Sequence, residues 1–452
     1  MILFKAKLSF VAAMAISLTH SVATGQNYKI VDTNQSKCFD DKEVIEAPKV
    51  GERFYGQDAQ FLGNVASYTD NGDGTITDNV TGLVWQKGYS VMSYEEALEA
   101  AEKFELAGKS DWRLPSIKEG YSLILFSGCD LSPQLMGQGD MPGTPFIDIN
   151  FFDFKYAANG GRAIDTQMLT SSRYVGSTER ENLVFGVNFA DGRIKGYGLG
   201  FGGQAKQFVV RFVRGAEYGV NDFSDGGDGT ISDRATSLMW SKEDCKRAMN
   251  WEEALDYAQQ MNAQNYLGYS DWRVPNAKEL QSIVDYSRSP LSTSSAAIDP
   301  LFEISTIKDE SGADDYPFFW SSTTHENSGT STGGAGIYVS FGRSLGNMSN
   351  MQQQGQQQGS GQGQRPQGQG SQGQRSQDQR PQGQAPQQAR QGGENRQQRG
   401  VGTSAQNWVD IHGAGSQRSD PKSGDPTPYV NGHGPQGDAV RIYNYVRLVR
   451  DL

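Results

Sequence analysis

Cysteine and histidine are scarce in this sequence, three and four residues in 452. Cys38, Cys129 and Cys245 stand too far apart for a disulfide scaffold or a zinc knuckle. The expectation is one long-range disulfide and one free thiol, with the pairing open. A membrane-crossing helix needs about 20 consecutive apolar residues, and no stretch supplies them. The apolar run at 8–18 follows Lys5 and Lys7 and precedes small residues around Ala23 and Gly25. A basic start, an apolar middle and a small-residue end predict a signal peptide over 1–25, with export to the periplasm, the cell surface or the medium. Its end holds no cysteine to carry a lipid. With 41 basic residues against 52 acidic ones the formal charge is −11, which disfavours nucleic acid and other polyanions as partners of the whole surface. Neither H-E-x-x-H nor a Walker loop occurs, no nucleophile elbow is read, and no cofactor is expected.

What the chain does contain is one unit used twice. DNGDGTITDNVTGLVWQK (70–87) matches DGGDGTISDRATSLMWSK (225–242), and SYEEALEAA (93–101) matches NWEEALDYA (250–258). GKSDWRLPSIKE (108–119) answers GYSDWRVPNAKE (268–279), LTSS (169–172) answers WSST (320–323), and VRFVRG (210–215) answers VRLVRD (446–451). The offset is 160 at the third motif (268 minus 108) and 236 at the last (446 minus 210), so the second copy carries 76 extra residues between them. The predicted organisation is an N-terminal extension at 26–60, a first domain at 61–215, and a second at 216–452 with an insertion at about 347–405. Within the insertion, 351–400 has Met351 as its single large apolar residue and no glycine period of three. That composition predicts disorder and excludes a collagen triple helix.

Capping-box spacing marks two helix starts per copy: Ser93 with Glu96, Ser116 with Glu119, Asn250 with Glu253, and Asn276 with Glu279. Tyr94, Ala97, Leu98 and Ala101 share one face of the first helix, as do Trp251, Ala254, Leu255 and Ala258 in the second copy. In SDWRLP and SDWRVP the tryptophans Trp112 and Trp272 point one way, while Asp111 with Arg113, and Asp271 with Arg273, share the other side as a predicted architectural clasp. Short β-branched and aromatic runs bounded by glycine turns supply strands. The predicted class is α+β: two tandem mixed domains with short antiparallel sheets and two helices each, plus the Gln/Gly-rich insertion.

The ordered motifs DGTITD, TGLVW, EEAL, SDWRLP with KE, WSST, V-x-F with GR, and VR-x-VR resemble the DUF1566, or Lcl C-terminal domain, family. The resemblance covers almost all of both copies outside the insertion. It implies a C-type-lectin-like fold used for extracellular binding; the best-known member is the end domain of a collagen-like adhesin that binds sulfated glycans. Family members typically end in VRCVR, whereas Phe212 and Leu448 stand at those cysteine positions here.

His412 and His433 fall in two Gly/Pro/Asp-rich loops flanking the last strand, and His325 follows WSST. With Arg418 and Asp420 they form the candidate ligand-binding set, since polar loops on a rigid scaffold are where binding concentrates. The acidic motif, Asp70, Asp73 and Asp78 with Asp225, Asp228 and Asp233, looks at first like a calcium loop. In an EF-hand register, however, the twelfth position is Val80 or Ala235, so the bidentate carboxylate is missing. A glycine hairpin turn is the reading, with weak calcium binding as its alternative and no metal site otherwise. The expected function is an exported, non-catalytic, adhesin-like protein whose partner is an extracellular polysaccharide or cell-surface protein. The alternatives are an exported enzyme of the formylglycine-generating group and a structural matrix component. Oligomeric state stays open.

Overall fold

The computed structural model describes residues 27–135, 143–176, 182–201, 203–349, 407–434 and 436–452. The signal-peptide reading of 1–25 and the disorder reading of 351–400 lie outside the described residues. The described chain is mostly β, with few helices. Each copy opens on the repeated acidic motif: Tyr68–Asp70 pairs with Thr75–Asp78, which pairs with Val84–Gln86. Phe223–Asp225, Thr230–Asp233 and Leu238–Ser241 repeat that arrangement. The fourth strand of each sheet comes from the end of the copy, Val213–Arg214 in the first and Val449–Asp451 in the second. Each copy therefore closes on its own beginning, with Trp85 and Trp240 fully buried in the two central strands.

The helices longer than a single turn are α1 (Tyr94–Ala101), α2 (Ile117–Ser122), α3 (Trp251–Ala263) and α4 (Ala277–Ser282), and one further turn spans Ser132–Leu135. All four begin with the predicted reciprocal capping box, and each such cap contributes about 0.5–2 kcal/mol. α3 buries Trp251, Ala254, Leu255 and Ala258 as the spacing requires. α1 buries Tyr94 and Ala97, but Leu98 is 43% exposed where its counterpart Leu255 is 1% exposed. The difference is the N-terminal extension, which lies over the second copy. Phe54 packs on Trp251 with ring centroids 6.3 Å apart, and Gly51 N–H donates to Gln259 at 2.8 Å.

An eight-stranded sheet runs through both copies in the order Phe318–Thr324, Ala335–Ser340, Gln417–Pro421, Arg193–Gly198, Leu183–Asn188, Gln167–Arg173, Phe208–Val210, Ser90–Met92. It passes from one copy to the other at a single rung, Gln417 opposite Ile194. Each of the two tandem domains keeps a buried cluster of its own, around Trp112 and Phe212 in the first and around Trp251 and Trp320 in the second, but the largest is shared. It holds Ile76, Trp85 and Phe185 together with Trp240, Leu280 and Ile337, because α2 meets α4 and the large sheet is shared. The crossing is reciprocal. Lys118 Nζ donates to Ser282 O at the end of α4 (2.6 Å), and Lys278 Nζ donates to Ser122 O at the end of α2 (2.9 Å). Burial lowers these two amines to about 8 and about 7, and the negative end of a helix is where a cation is best tolerated.

Two expectations are corrected. The three cysteines form no disulfide: Cys38 and Cys129 are buried and free, and Cys245 is half-buried and free. Cys245 Sγ accepts from Val446 N–H at 3.1 Å and donates to Arg247 O at 3.0 Å. Residues Gln417–Pro421, read as part of a polar loop, are an inner strand of the large sheet.

Candidate functional site

Four of the five candidate ligand-binding residues lie inside the molecule. His325, His412 and Asp420 are buried, and only 12% of the Arg418 side chain is exposed. The structure brings His412 and Arg418 together on Asp438: His412 Nε2 to Oδ1 at 2.8 Å and Arg418 Nη2 to Oδ2 at 2.6 Å. Burial alone would raise the Asp438 carboxyl, but Arg418 and His412 hold it well below the usual range. Burial, reinforced by Arg418, lowers the His412 imidazole to about 4, so it is neutral at pH 7. His412 Nδ1 is enclosed without a partner, so this histidine–carboxylate pair has the layout of an oriented base but faces no opening. His325 lies across the boundary between the copies, accepting from or donating to Ser419 Oγ at 3.2 Å and meeting Asp191 O at 2.9 Å. Its ring stacks on Phe146 at 5.5 Å. Asp420 takes the Arg441 N–H at 2.7 Å, and His433 is exposed beside Tyr429. These residues form a seam between copies, not a pocket, and His433 stands apart from it.

The acidic turns use their carboxylates locally. Asp70 accepts from Gly72 N–H (2.9 Å) and pairs with Lys87 (2.6 Å), while Asp73 accepts from Thr75 N–H (3.1 Å) and its hydroxyl (2.6 Å). Asp78 caps Val80 and Thr81. Asp225 and Asp228 repeat the first two roles, and Asp233 gathers Asn221, Asp222 and Ala235. Gly72 and Gly74 have φ of 75° and 87°, and Gly227 and Gly229 have 73° and 91°, the left-handed values that require glycine in such a turn. Among the described residues no group of three His, Cys, Asp or Glu side chains could hold a metal ion.

The clasp around the tryptophans has different partners from those the spacing indicated. Asp111 pairs with Arg214 and Asp271 with Arg450, in both cases the last arginine of VR-x-VR. Arg113 instead forks onto Glu119 at 2.6 Å twice, and Arg273 onto Glu279 at 2.6 and 2.8 Å. Each SDWR segment therefore ties the second helix to the closing strand. The first arginine of VR-x-VR is a residue that sequence reasoning passed over. Arg211 donates to the carbonyls of Gln86, Lys87 and Asp153, and Arg447 to those of Ser241, Lys242 and Glu303. Its repetition in both copies was the available signal. One G-x-S-x-G string also occurs, at 329–333, but Ser331 sits in a turn between strands and its hydroxyl reaches only the Asp41 and Lys42 carbonyls at 3.5 and 3.4 Å. That context is not the strand–turn–helix of a nucleophile elbow.

Among the described residues two roomier openings lie elsewhere, besides one of about 300 Å³ lined by Lys118, Glu217 and Tyr286. A cleft of about 580 Å³ lies between the N-terminal extension and the second copy, with Asp32, Asp58, Glu279 and Arg273 on its walls. Its carboxylates are already engaged: Asp32 by Asn34 and Gly63 N–H, Asp58 by the Thr323 hydroxyl, and Glu279 by Arg273. The other is a shallow groove of about 1150 Å³ on the first copy, lined by Tyr89, Ile149, Phe152, Phe154 and Tyr156, with Asp153 and Lys155 at its rim. Ile149 is 61% exposed, Tyr89, Phe154 and Tyr156 are half-buried, and Phe154 meets Tyr156 edge-on at 5.0 Å. Arg211 fixes the floor by tying Asp153 to Gln86 and Lys87, with its guanidinium 5.0 Å from the Phe152 ring. An aromatic surface with few polar groups at its edge can hold a flat, hydroxylated ligand.

The profile of the Lcl C-terminal domain matches residues 74–214 and 229–359. No curated protein and no solved structure matches the chain. The second match stops short of Val449–Asp451, the strand that completes the second copy exactly where Val213–Arg214 completes the first.

Proposed function

The chain belongs to the Lcl C-terminal domain family, in two tandem copies, and from that premise we propose an exported, non-catalytic, adhesin-like protein that holds an extracellular polysaccharide in the aromatic groove of its first copy. The observation that carries this reading is the groove itself, where Tyr89, Phe154 and Tyr156 stay half-exposed around a floor pinned by Arg211. Pyranose rings present an apolar C–H face and a hydroxyl edge. Aromatic faces meet the first, and rim groups such as Asp153 and Lys155 meet the second. A C-type-lectin-like scaffold is part of the same proposal, as is export by the leader at 1–25. The buried state of His412 and Arg418 favours binding over acid–base chemistry at the seam, because a reacting group must be reached by its substrate.

A glycan array probed with the protein purified after export tests this directly. Retention of one or more saccharides, lost on Phe154→Ala with Tyr156→Ala, is the expected result. A folded protein that binds no saccharide, or binds equally well without those rings, would remove the reading.

A further inference from the structure

We infer that the two copies have diverged in function, so that each chain has one saccharide subsite, in the first copy, shaped for an uncharged sugar chain. The inference rests on the binding reading above and goes beyond it in stoichiometry and ligand class. The buried arginines set the correspondence between copies. Arg211 joins Lys87 O and Asp153 O, and Arg447 joins Lys242 O and Glu303 O. Asp153 N–H donates to Lys87 O at 3.1 Å, and Glu303 N–H to Lys242 O at 3.0 Å. Phe152 and Phe302 lie under their arginines at 5.0 and 4.9 Å. Counting outward from these anchors, Tyr89 corresponds to Asp244, Phe154 to Ile304, Lys155 to Ser305 and Tyr156 to Thr306.

In the second copy that place is locked. Ser305 N–H and its hydroxyl donate to the two oxygens of Asp244, at 2.6 and 2.7 Å, and Asp244 is buried. The two backbone segments that Tyr89 and Lys155 leave apart in the first copy are thus stitched together in the second, and all three aromatic rings are gone. Charge sets the ligand class. Asp153 and Lys155 cancel at the rim of the open groove, whereas Glu243 and Glu303 stand exposed around the closed one. Lys155 is the single cation at the open rim, with Asp153 beside it, and the closed one is edged by acids, so neither has the cluster of cations that a sulfated or carboxylated chain calls for, and the protein as a whole carries −11.

The test is calorimetric titration of the full exported chain with cellohexaose, chitohexaose and maltohexaose, and with a heparin hexasaccharide of equal length. The expected result is binding of at least one neutral probe at one site per chain. Affinity should fall about tenfold in Tyr89→Asp and in Ile149→Asp, and should be unchanged in Asp244→Asn. Ile149 is 61% exposed, so its substitution keeps the fold even where that of Tyr89 does not. Two sites per chain, or loss in Asp244→Asn with Tyr89→Asp unaffected, would overturn the division between copies while leaving saccharide binding intact. Heparin binding in preference to the neutral probes would overturn the ligand class alone. Absence of binding to all four overturns this inference, and the wider array described above then decides whether the binding reading falls with it.

Discussion

Substituting Leu255 by alanine and, separately, its counterpart Leu98 by alanine makes the same chemical change at the same position of two helices that begin with the same capping box. The costs should differ severalfold. Leu255 is 1% exposed and packs in a cluster with Phe54, Trp251 and Trp320. Removing a fully buried leucine loses roughly 1.5–3 kcal/mol of transfer free energy, and the cavity it leaves brings the total to about 2–5 kcal/mol. Leu98 is 43% exposed, so about half of that transfer is already lost, water fills the space, and the cost should stay near 1 kcal/mol or below. Urea unfolding followed by tryptophan fluorescence reads both as shifts in midpoint at constant slope. A further variant, Phe54→Ala, should couple with Leu255→Ala, because both line one cluster, and should add independently to Leu98→Ala. Equal costs for the two leucines, or coupling of Phe54 with Leu98, would refute the claim that the N-terminal extension covers α3 and leaves α1 bare.

Acid should loosen the seam. Burial holds His325 and His412 at about 4, below the unfolded value near 6.5, so the stability they contribute is complete above about pH 6.5 and is lost as pH falls toward 4, up to about 3 kcal/mol each. Asp58 and Asp420, raised by burial to about 7, run the other way, contributing at low pH and losing it as pH rises through 7. The readout is therefore the difference between wild type and His325→Gln across pH 4–7, which should slope by about 1.4 kcal/mol per unit; a flat difference would contradict it. His325 faces Asp130, Asp191, Arg193 and Lys195, so that slope should change in Arg193→Met. For the acidic turns, calorimetry with calcium should give no tight binding, and a signal abolished by Asp73→Ala with Asp228→Ala would show that the hairpins hold metal after all.

Features set by residues close in sequence were legible before the structure. The four capping boxes need only three-residue spacing, and Ser93, Ser116, Asn250 and Asn276 all make them. Features set by distant partners were not. The arginine of each SDWR segment has an aspartate two residues away, yet it reaches Glu119 or Glu279 on the next helix, because the short pair would face solvent and the fork onto a capping glutamate is bidentate. Residues Gln417–Pro421 alternate polar with charged and carry no apolar signal; they form a strand because Arg418 and Asp420 find buried partners that lie elsewhere in the chain. The groove was hidden for a related reason. Tyr89 and Phe154 lie 65 residues apart (154 minus 89), and their shared wall shows only once Arg211 and the bond from Asp153 N–H to Lys87 O join the two segments.

The exchange of lysines between α2 and α4 has a consequence for assembly. Residue 118 of one copy meets residue 282 of the other, and residue 278 meets residue 122, which is the self-complementary contact pattern of an isologous homodimer written into a single polypeptide. The connection near 216–221 is both a tether, keeping two complementary halves at the millimolar effective concentration a short linker provides, and part of the seam, since Tyr218 is buried in the shared core and Lys118 also donates to Gly219 O and Asn221 Oδ1. Cut there, the halves should find each other again, each offering the other an ammonium group and a helix end to receive one.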